Sequence, residues 1–302
     1  MQYEIFEMDR DPVFDTPSRG VPAGARPFRR QLLKWIGNKQ RFAHEIAAFF
    51  PSLTGKYYEP FLGSGAVLGT LAPPEALGSD CFGPLIGIWK TLKQNPETLI
   101  DWYAGGLRLC AQLGKEQAYE EIKARYNANP NATDFIFLSR ACYGGVVRFR
   151  RDGYMSTPCG PHTPISVESF RERVRLWHAR VRGAEFENID YQEAMDRAKA
   201  DDIIYCDPPY SFTQAILYGA QSFSLPSLLK MISQCKERGV SVALSIDGSK
   251  KSGQFICNVP IPTGLFEREV AVNVGRSMLR RFQRGGDTLE DEVVHDRLLL
   301  TY

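Results

Sequence analysis

The apolar run Asp202-Ile203-Ile204-Tyr205-Cys206 stops abruptly in Asp207-Pro208-Pro209-Tyr210. A strand that ends in such a turn holds a carboxylate, a main-chain carbonyl and an aromatic ring close together. Pro209 has no N–H and fixes its own φ. Pro208 is kept extended by the proline that follows it, so its carbonyl is offered to a ligand and not to a helix. Two acceptors and a flat ring suit the grip of the exocyclic amine of a planar base. Taken alone, the same four residues also fit an ordinary strand-to-loop turn.

A second constellation is Glu59-Pro60-Phe61-Leu62-Gly63-Ser64-Gly65. Glycines between a strand and a helix let a ligand come against the backbone, at the carboxyl end of a strand where open α/β sheets bind ligands. Gly63-x-Gly65-x-x-x-Gly69 misses the dinucleotide spacing, and the Gly-Lys-Ser/Thr of a phosphate loop is absent. Asp80 ends the next strand pattern and is placed to accept hydrogen bonds from two ribose hydroxyls. A glycine loop with that acid predicts a nucleoside-containing cofactor. The third constellation, Lys34-Trp35-Ile36-Gly37-Asn38-Lys39, sets a tryptophan between lysines near a helix start.

The elements that must position these groups follow from periodicity. Residues 1–25 mix Pro, Gly and charge without a period and read as an extension with little structure. Tyr57 to Gly65 reads as a strand running into a turn, Ala66 to Leu71 as a helix stopped by Pro73-Pro74, and Glu75 to Asp80 as a second strand. From Pro84 to Tyr126 the period is helical, and Asn127 to Asn131 breaks it. A stretch rich in Gly, Arg and aromatics, Ser139 to Gly160, precedes an amphipathic helix with Phe170, Val174, Trp177 and Val181 on one face and arginines on the other. Strands return at Phe186 to Ile189, Ile203 to Cys206 and Val240 to Ile246. Between the last two, a helix is N-capped by Ser224 and closed by Gly239. This alternation predicts an α/β fold with a parallel sheet. The helical, basic middle, residues 93–185, reads as an insertion or second lobe.

Composition narrows the class. A chain of 302 residues buries a large core. No stretch approaches the roughly 20 apolar residues of a membrane span, and Met1 to Asp11 has no signal-peptide core. Seven cysteines without a Cys-x-x-Cys pair, and four scattered histidines, point away from a disulfide framework and from a metal site. They fit a reducing cytoplasm. The net charge is only +2, but the basic residues are segregated. One cluster is Arg26, Arg29, Arg30, Lys34, Lys39 and Arg41; another is Arg140, Arg148, Arg150 and Arg151. A third runs from Arg171 to Arg182, and a fourth comprises Arg276, Arg280, Arg281 and Arg284. Acids gather elsewhere, notably from Asp287 to Asp296. One charged face on a near-neutral protein fits a nucleic-acid enzyme, and also fits solvated helix faces.

With Lys-Trp-x-Gly-x-Lys, Glu-Pro-Phe-x-Gly-x-Gly and Asp-Pro-Pro-Tyr in this order, the chain resembles the Dam-like DNA adenine methyltransferases, from about Leu32 to Tyr302. Ser139-Arg140-Ala141-Cys142-Tyr143-Gly144-Gly145-Val146-Val147-Arg148-Phe149 looks like that family's DNA-reading segment. The resemblance implies a Rossmann-like methyltransferase sheet with an inserted, mainly helical DNA-recognition domain. The catalytic domain would comprise residues 26–92 and 186–302, the target-recognition domain 93–185, and the extension 1–25. It implies S-adenosylmethionine as methyl donor and double-stranded DNA as partner, with a cognate restriction endonuclease possible and the oligomeric state open; the expected setting is cytoplasmic, with no membrane partner.

Carried over residue by residue, Trp35 and Lys39 would contact the cofactor. Phe61 and Gly63 to Gly65 would wall it, and Asp80 would hold its ribose. Asp207 would lie between donor and target with Pro208, and Tyr210 would stack on a flipped base. Lys34, Tyr143, Arg148 and Arg150 would meet DNA. Gly144 stands where the family carries a polar residue, which leaves the recognised sequence open.

The chemistry follows from the residues too. An adenine amine is a poor nucleophile because its lone pair is delocalised into the ring. Accepting its hydrogens on Asp207 and the Pro208 carbonyl localises that pair. No metal is required. The amine is out of reach inside a duplex, so the base must be flipped, at a cost of a few kcal/mol. Stacking on Tyr210 and Phe212 offsets part of that, at about 1–3 kcal/mol per base. Cytosine N4 and an RNA adenine remain targets of the same chemistry. A nicotinamide-dependent oxidoreductase is disfavoured by the glycine spacing. A catalytically silent DNA-binding relative is disfavoured by intact Asp207, Pro208 and Tyr210.

Overall fold

A computed structural model of the chain describes residues 26–35, 37–209, 223–250, 255–256, 261–275 and 294–302. Among these, eight strands form one sheet: β1 (Tyr57–Glu59), β2 (Ala76–Ser79), β3 (Ala184–Glu187), β4 (Ile203–Cys206), β5 (Ser241–Lys250), β6 (Phe255–Ile256), β7 (Arg268–Gly275) and β8 (Val294–Leu300). Their order in space is β3-β2-β1-β4-β5-β8-β7, with β6 paired to the end of β5. The chain runs outward from β1 to β2 and β3, then returns to lay β4 on the other side of β1. The strand order therefore reverses between β1 and β4, which opens the crevice where such sheets hold ligands.

The expected parallel sheet requires one correction. The five strands from β3 to β5 are parallel, but β8 runs antiparallel to β5 and to β7, so the sheet is mixed. A parallel pairing needs a crossover of a dozen or more residues, usually helical. The described residues between β5 and β8 contain no helix.

Helices cover both faces. They are α1 (Ala43–Ala47), α2 (Ala66–Leu71), α3 (Gly83–Gln94), α4 (Pro96–Leu113), α5 (Lys115–Ala128), α6 (Ala132–Ala141), α7 (Val167–Arg180), α8 (Tyr191–Asp196) and α9 (Leu225–Glu237). Strand alternation divides the core. Tyr57, Ile203, Tyr205, Leu298 and Leu300 pack with residues of α1 to α7. Their neighbours Tyr58, Ile204, Cys206 and Leu299 pack with α8 and α9. Burial on both faces is why these strands read as apolar runs. None of the described helices is long and apolar enough to cross a membrane.

The helical middle differs in detail from its pattern. The continuous period from Pro84 to Tyr126 is three helices. Asn95 breaks the first by accepting from the Thr98 amide, with Pro96 opening α4. The break expected over Asn127 to Asn131 is found there: α5 ends at Ala128 with Asn129 as its cap, and Asn131 then caps α6 by accepting from the Asp134 amide at 2.8 Å. Helix α7 matches its expectation, N-capped by Ser166, with Phe170, Val174, Trp177 and Val181 buried. Trp177 lies so close over Gly69 of α2 that a β-carbon there would collide with its ring. The buried side chains of 93–185 thus join the same apolar cluster as one face of the sheet.

Candidate active site

The loop after β1 is shaped by its glycines. Gly63 and Gly65 have φ of 45° and 59°, a region that side chains avoid. A β-carbon on Gly63 would sit 3.0 Å from Nε1 of Trp35. The Gly63 carbonyl accepts from Trp89 Nε1 at 3.2 Å, and its amide donates to Asp80 Oδ2 at 3.1 Å. Trp35, the glycine loop and Asp80 therefore form one packed unit. The other Asp80 oxygen accepts from the Phe82 amide at 3.0 Å. The carboxylate expected to face a ribose is thus also a clasp for its own loop. Each of its oxygens can accept more than one hydrogen bond.

The turn after β4 lies across the crevice. Asp207 Oδ1 accepts from Lys39 Nζ at 2.9 Å, and the Lys39 side chain is only 6 % exposed. Pro208 is buried. Tyr210, with Phe212, lies outside the described residues. Between the two loops, the buried carboxyl of Glu59 accepts from the Tyr57 hydroxyl at 2.9 Å and the Leu68 amide at 2.8 Å. Burial pushes its pKa up to about 8, the two hydrogen bonds hold it down in part, and the Asp207 charge adds to the rise. Glu59 is therefore largely a neutral acid at pH 7.

The ends of β2 and β3 complete the crevice with residues the motif reading missed. Asn188 donates to the Asp80 carbonyl at 2.8 Å. Asp190 caps α8 by accepting from the Gln192 amide at 2.9 Å. The ring of Tyr191 stacks on Phe61 with centroids 5.1 Å apart, and Phe223 meets Phe61 edge-on at 5.8 Å. An acid just beyond a parallel strand, the signal that picked out Asp80, was present again at Asp190.

The basic, aromatic segment forms a two-stranded turn. Arg150 N donates to Tyr154 O at 2.9 Å, Ser156 N donates to Arg148 O at 2.9 Å, and Phe149 pairs with Met155. Alternation decides which side chains face out. Val147, Met155 and Thr157 are buried, and Phe149 packs on Phe82 with centroids 5.5 Å apart. Arg148, Arg150, Tyr154 and Ser156 are exposed, and the Arg150 guanidinium lies 4.6 Å from the Tyr154 ring centroid. Tyr143 is 42 % exposed beside Gly144 and Gly145, both at positive φ.

The expected site residues therefore fall into two groups. Trp35, Lys39, Phe61, Gly63, Gly65, Asp80 and Asp207 gather around the ends of β1, β2 and β4, whereas Arg148 and Arg150 lie on the turn and Tyr143 just before it. Lys34 joins the groups: Trp35 packs on Gly63, while Lys34 packs where a Gly145 β-carbon would be. Burial lowers the Lys34 pKa, and the Arg140 charge lowers it further.

Several arginines expected to face phosphate or solvent instead bind the chain itself. Arg173 donates to Gln31 O at 2.9 Å, and Arg180 donates to Thr70 O at 3.2 Å. The Arg180 guanidinium also lies over the Phe28 ring. Arg140 donates to Leu32 O, and Trp177 Nε1 donates to Arg30 O at 2.7 Å. These contacts lash residues 28–33 to α6 and α7. Arg171 pairs with Glu97, while Arg175 and Arg182 are exposed. The cluster from Arg276 to Arg284 lies outside the described residues.

A mixed seven-strand path with a glycine loop, a second-strand acid and an Asp-Pro-Pro turn around its reversal point defines a Rossmann-like methyltransferase. Residues 35–259 match the family model for the D12 class N6 adenine-specific DNA methyltransferases, and the chain belongs to that family. It is an adenine-specific DNA methyltransferase. Among its relatives, a DNA adenine methylase of Vibrio cholerae is 27 % identical over 237 residues, covering 72 % of this chain and 81 % of the relative. A DNA adenine methylase of Haemophilus influenzae is 27 % identical over 259 residues, covering 81 % and 88 %. The type II methyltransferase M1.LlaDCHI of Lactococcus lactis is 26 % identical over 244 residues, covering 73 % and 82 %.

Proposed function

We propose that the protein transfers a methyl group from S-adenosylmethionine to N6 of an adenine flipped out of double-stranded DNA. The observation that carries this reading is the position of the Asp207 carboxylate. It stands at the end of β4 beside the strand that carries the glycine loop, held on one oxygen by Lys39. The crevice fits a nucleoside-bearing sulfonium cofactor. The glycine loop turns at positive φ at Gly63 and Gly65, the Asp80 carboxylate closes it, and the stacked pair Phe61 and Tyr191 supplies an aromatic wall. When bound, that cofactor supplies a methyl group already made electrophilic by its sulfonium charge.

The chain's own contribution is binding and orientation, which supply much of the rate when reacting atoms are held about 3–3.5 Å apart. Asp207 and the Pro208 carbonyl accept the two amine hydrogens, and Asp207 takes up the proton that the nitrogen releases. Tyr210 stacks on the extruded base. Residues 26–92 and 186–302 act as the catalytic domain. Residues 93–185 act as the target-recognition domain, with Lys34 reaching across to it. Arg148 addresses a base edge in the major groove, Arg150 a phosphate, and Tyr143 the gap left in the stack.

The test uses S-adenosylmethionine labelled in its methyl group with duplex DNA, followed by digestion to nucleosides. Label recovered in N6-methyladenine supports the reading. Label in N4-methylcytosine, or in RNA but not in DNA, overturns it.

A further inference from the structure

At the root of the exposed turn two cysteines face each other. Cys142 caps the end of α6, and Cys159 pairs with it across an isolated antiparallel bridge. The flanking hydrogen bonds run from Tyr143 N to Pro158 O at 2.9 Å and from Gly160 N to Ala141 O at 2.8 Å. These bonds bracket the pair instead of joining it, which makes it the non-hydrogen-bonded kind. In such pairs the Cα atoms stand about 4.5 Å apart and the side chains leave the same face at their closest. A disulfide spans Cα separations of about 4.4–6.8 Å. Both residues are free thiols, Cys142 buried and Cys159 half-buried. No other two cysteines among the described residues pair across a strand or bridge.

We propose that Cys142 and Cys159 form an oxidisable dithiol that low-molecular-weight disulfides close, and that the closed form binds DNA more weakly. The Cys159 thiolate attacks one sulfur of the small disulfide, whose S–S bond breaks and releases one small thiol. Cys142 then attacks Sγ of Cys159, and the second small thiol leaves as the protein disulfide forms. Two protein thiols are oxidised and one small disulfide is reduced to two thiols; the two protons pass to the departing thiolates. The order follows from access, because only Cys159 is partly exposed. Burial raises the Cys159 pKa, and the charge of Lys115 offsets part of that. The Lys115 ammonium donates to the carbonyls of Gly160 and Pro161 at 2.8 and 3.1 Å.

The consequence for DNA follows from what the bridge would tie down. Cys142 immediately precedes Tyr143, Gly144 and Gly145, and the bridge spans the whole segment that carries Arg148 and Arg150. A covalent tie at its base restricts the adjustment that lets this segment enter a groove. That half of the inference rests on the reading of residues 93–185 as the DNA-facing part, whereas the bond itself is read by mass alone.

The full-length protein is treated with oxidised glutathione, its remaining thiols are blocked, and it is mapped without reduction. The expected product is one cross-linked peptide pair joining Cys142 to Cys159, absent from Cys159→Ser and reversed by dithiothreitol. The oxidised protein should then bind duplex DNA at least about fivefold more weakly, with S-adenosylmethionine affinity within about twofold. Cys159→Ser should keep full DNA binding under the same treatment. A Cys110–Cys159 bond, or a persistent glutathione adduct on Cys159, overturns the dithiol. A formed Cys142–Cys159 bond with unchanged DNA affinity overturns its effect. Neither result bears on methyl transfer, which the labelled-methyl assay reads separately on the reduced protein.

Discussion

Lys39 Nζ stands 2.9 Å from Asp207 Oδ1 although 168 residues separate them in the chain. One oxygen of the proposed catalytic carboxylate is thereby oriented by a nearly buried ammonium group. The first motif and the last are joined by this ion pair, and Glu59 supplies a neutral hydrogen-bonded neighbour.

Removing the carboxylate should separate chemistry from cofactor binding. In Asp207→Ala, methyl transfer is expected to fall about 10²–10⁴-fold. S-adenosylmethionine should still bind within about tenfold. Single-turnover methylation and calorimetry measure the two, and substantial residual transfer would remove Asp207 from the mechanism. Lys39→Ala should lower turnover and Lys39→Arg should restore part of it. Equal effects of both on affinity alone would make Lys39 purely a cofactor contact.

Asp80→Ala should weaken S-adenosylmethionine binding by about 1–3 kcal/mol. Because this carboxylate also clasps the amides of Gly63 and Phe82, the cofactor-free protein should melt at a lower temperature as well. Calorimetry reads the first effect and a thermal melt the second. Unchanged affinity with a lowered melting temperature would restrict Asp80 to the loop.

Arg148 and the α7 arginines should separate cleanly. Arg148→Ala, on an exposed position, is expected to relax discrimination at one base pair by about 1–3 kcal/mol. Arg173→Ala and Arg180→Ala break bonds to main-chain carbonyls, so each should cost about 1–3 kcal/mol of folding stability and leave the salt dependence of DNA binding unchanged. Methylation of every single-base variant of the preferred site, with melts in parallel, tests both. An unaltered preference in Arg148→Ala would move base reading to Lys34.

Glu59 sets a pH dependence of stability. It keeps its proton in the fold up to about pH 8, against an ordinary value of 4.5. The folded state therefore binds more protons than the unfolded chain between those values. Its contribution is fully present below pH 4.5 and is lost as pH rises towards 8. Glu59→Gln stays neutral, so its melting temperature should vary less across this window than that of the unaltered protein. Equal slopes in the two proteins would mean that Glu59 is ionised in the fold.

Much of this was legible from residue order. Strands β1, β2, β4 and β5 announced themselves as apolar runs ending in turn residues. The arginine-bearing helix α7 and the Ser224-capped helix α9 showed a one-sided apolar stripe. Helix α6 left no such stripe, because Phe135 to Ala141 is buried on every side and its period vanishes. The antiparallel edge of β7 and β8 depends on pairing across the chain, which local pattern does not carry. The same holds for the Lys39–Asp207 pair. Arg173 and Arg180 were misjudged because nothing in a helical charge pattern tells that main-chain carbonyls at Gln31 and Thr70 will come to meet α7.

The two-residue alternation of the turn from Val147 to Thr157 has a consequence for inheritance. Its inward positions are bound to the core through Met155, Thr157 and the Phe149–Phe82 contact, and substitution there is penalised by folding. Its outward positions, Arg148, Arg150, Tyr154 and Ser156, meet no such penalty. Under the proposed reading the turn behaves as a frame with replaceable markings. A descendant chain can come to prefer a different stretch of DNA by exchanging a few outward letters, while the machinery that moves the methyl group stays as it was.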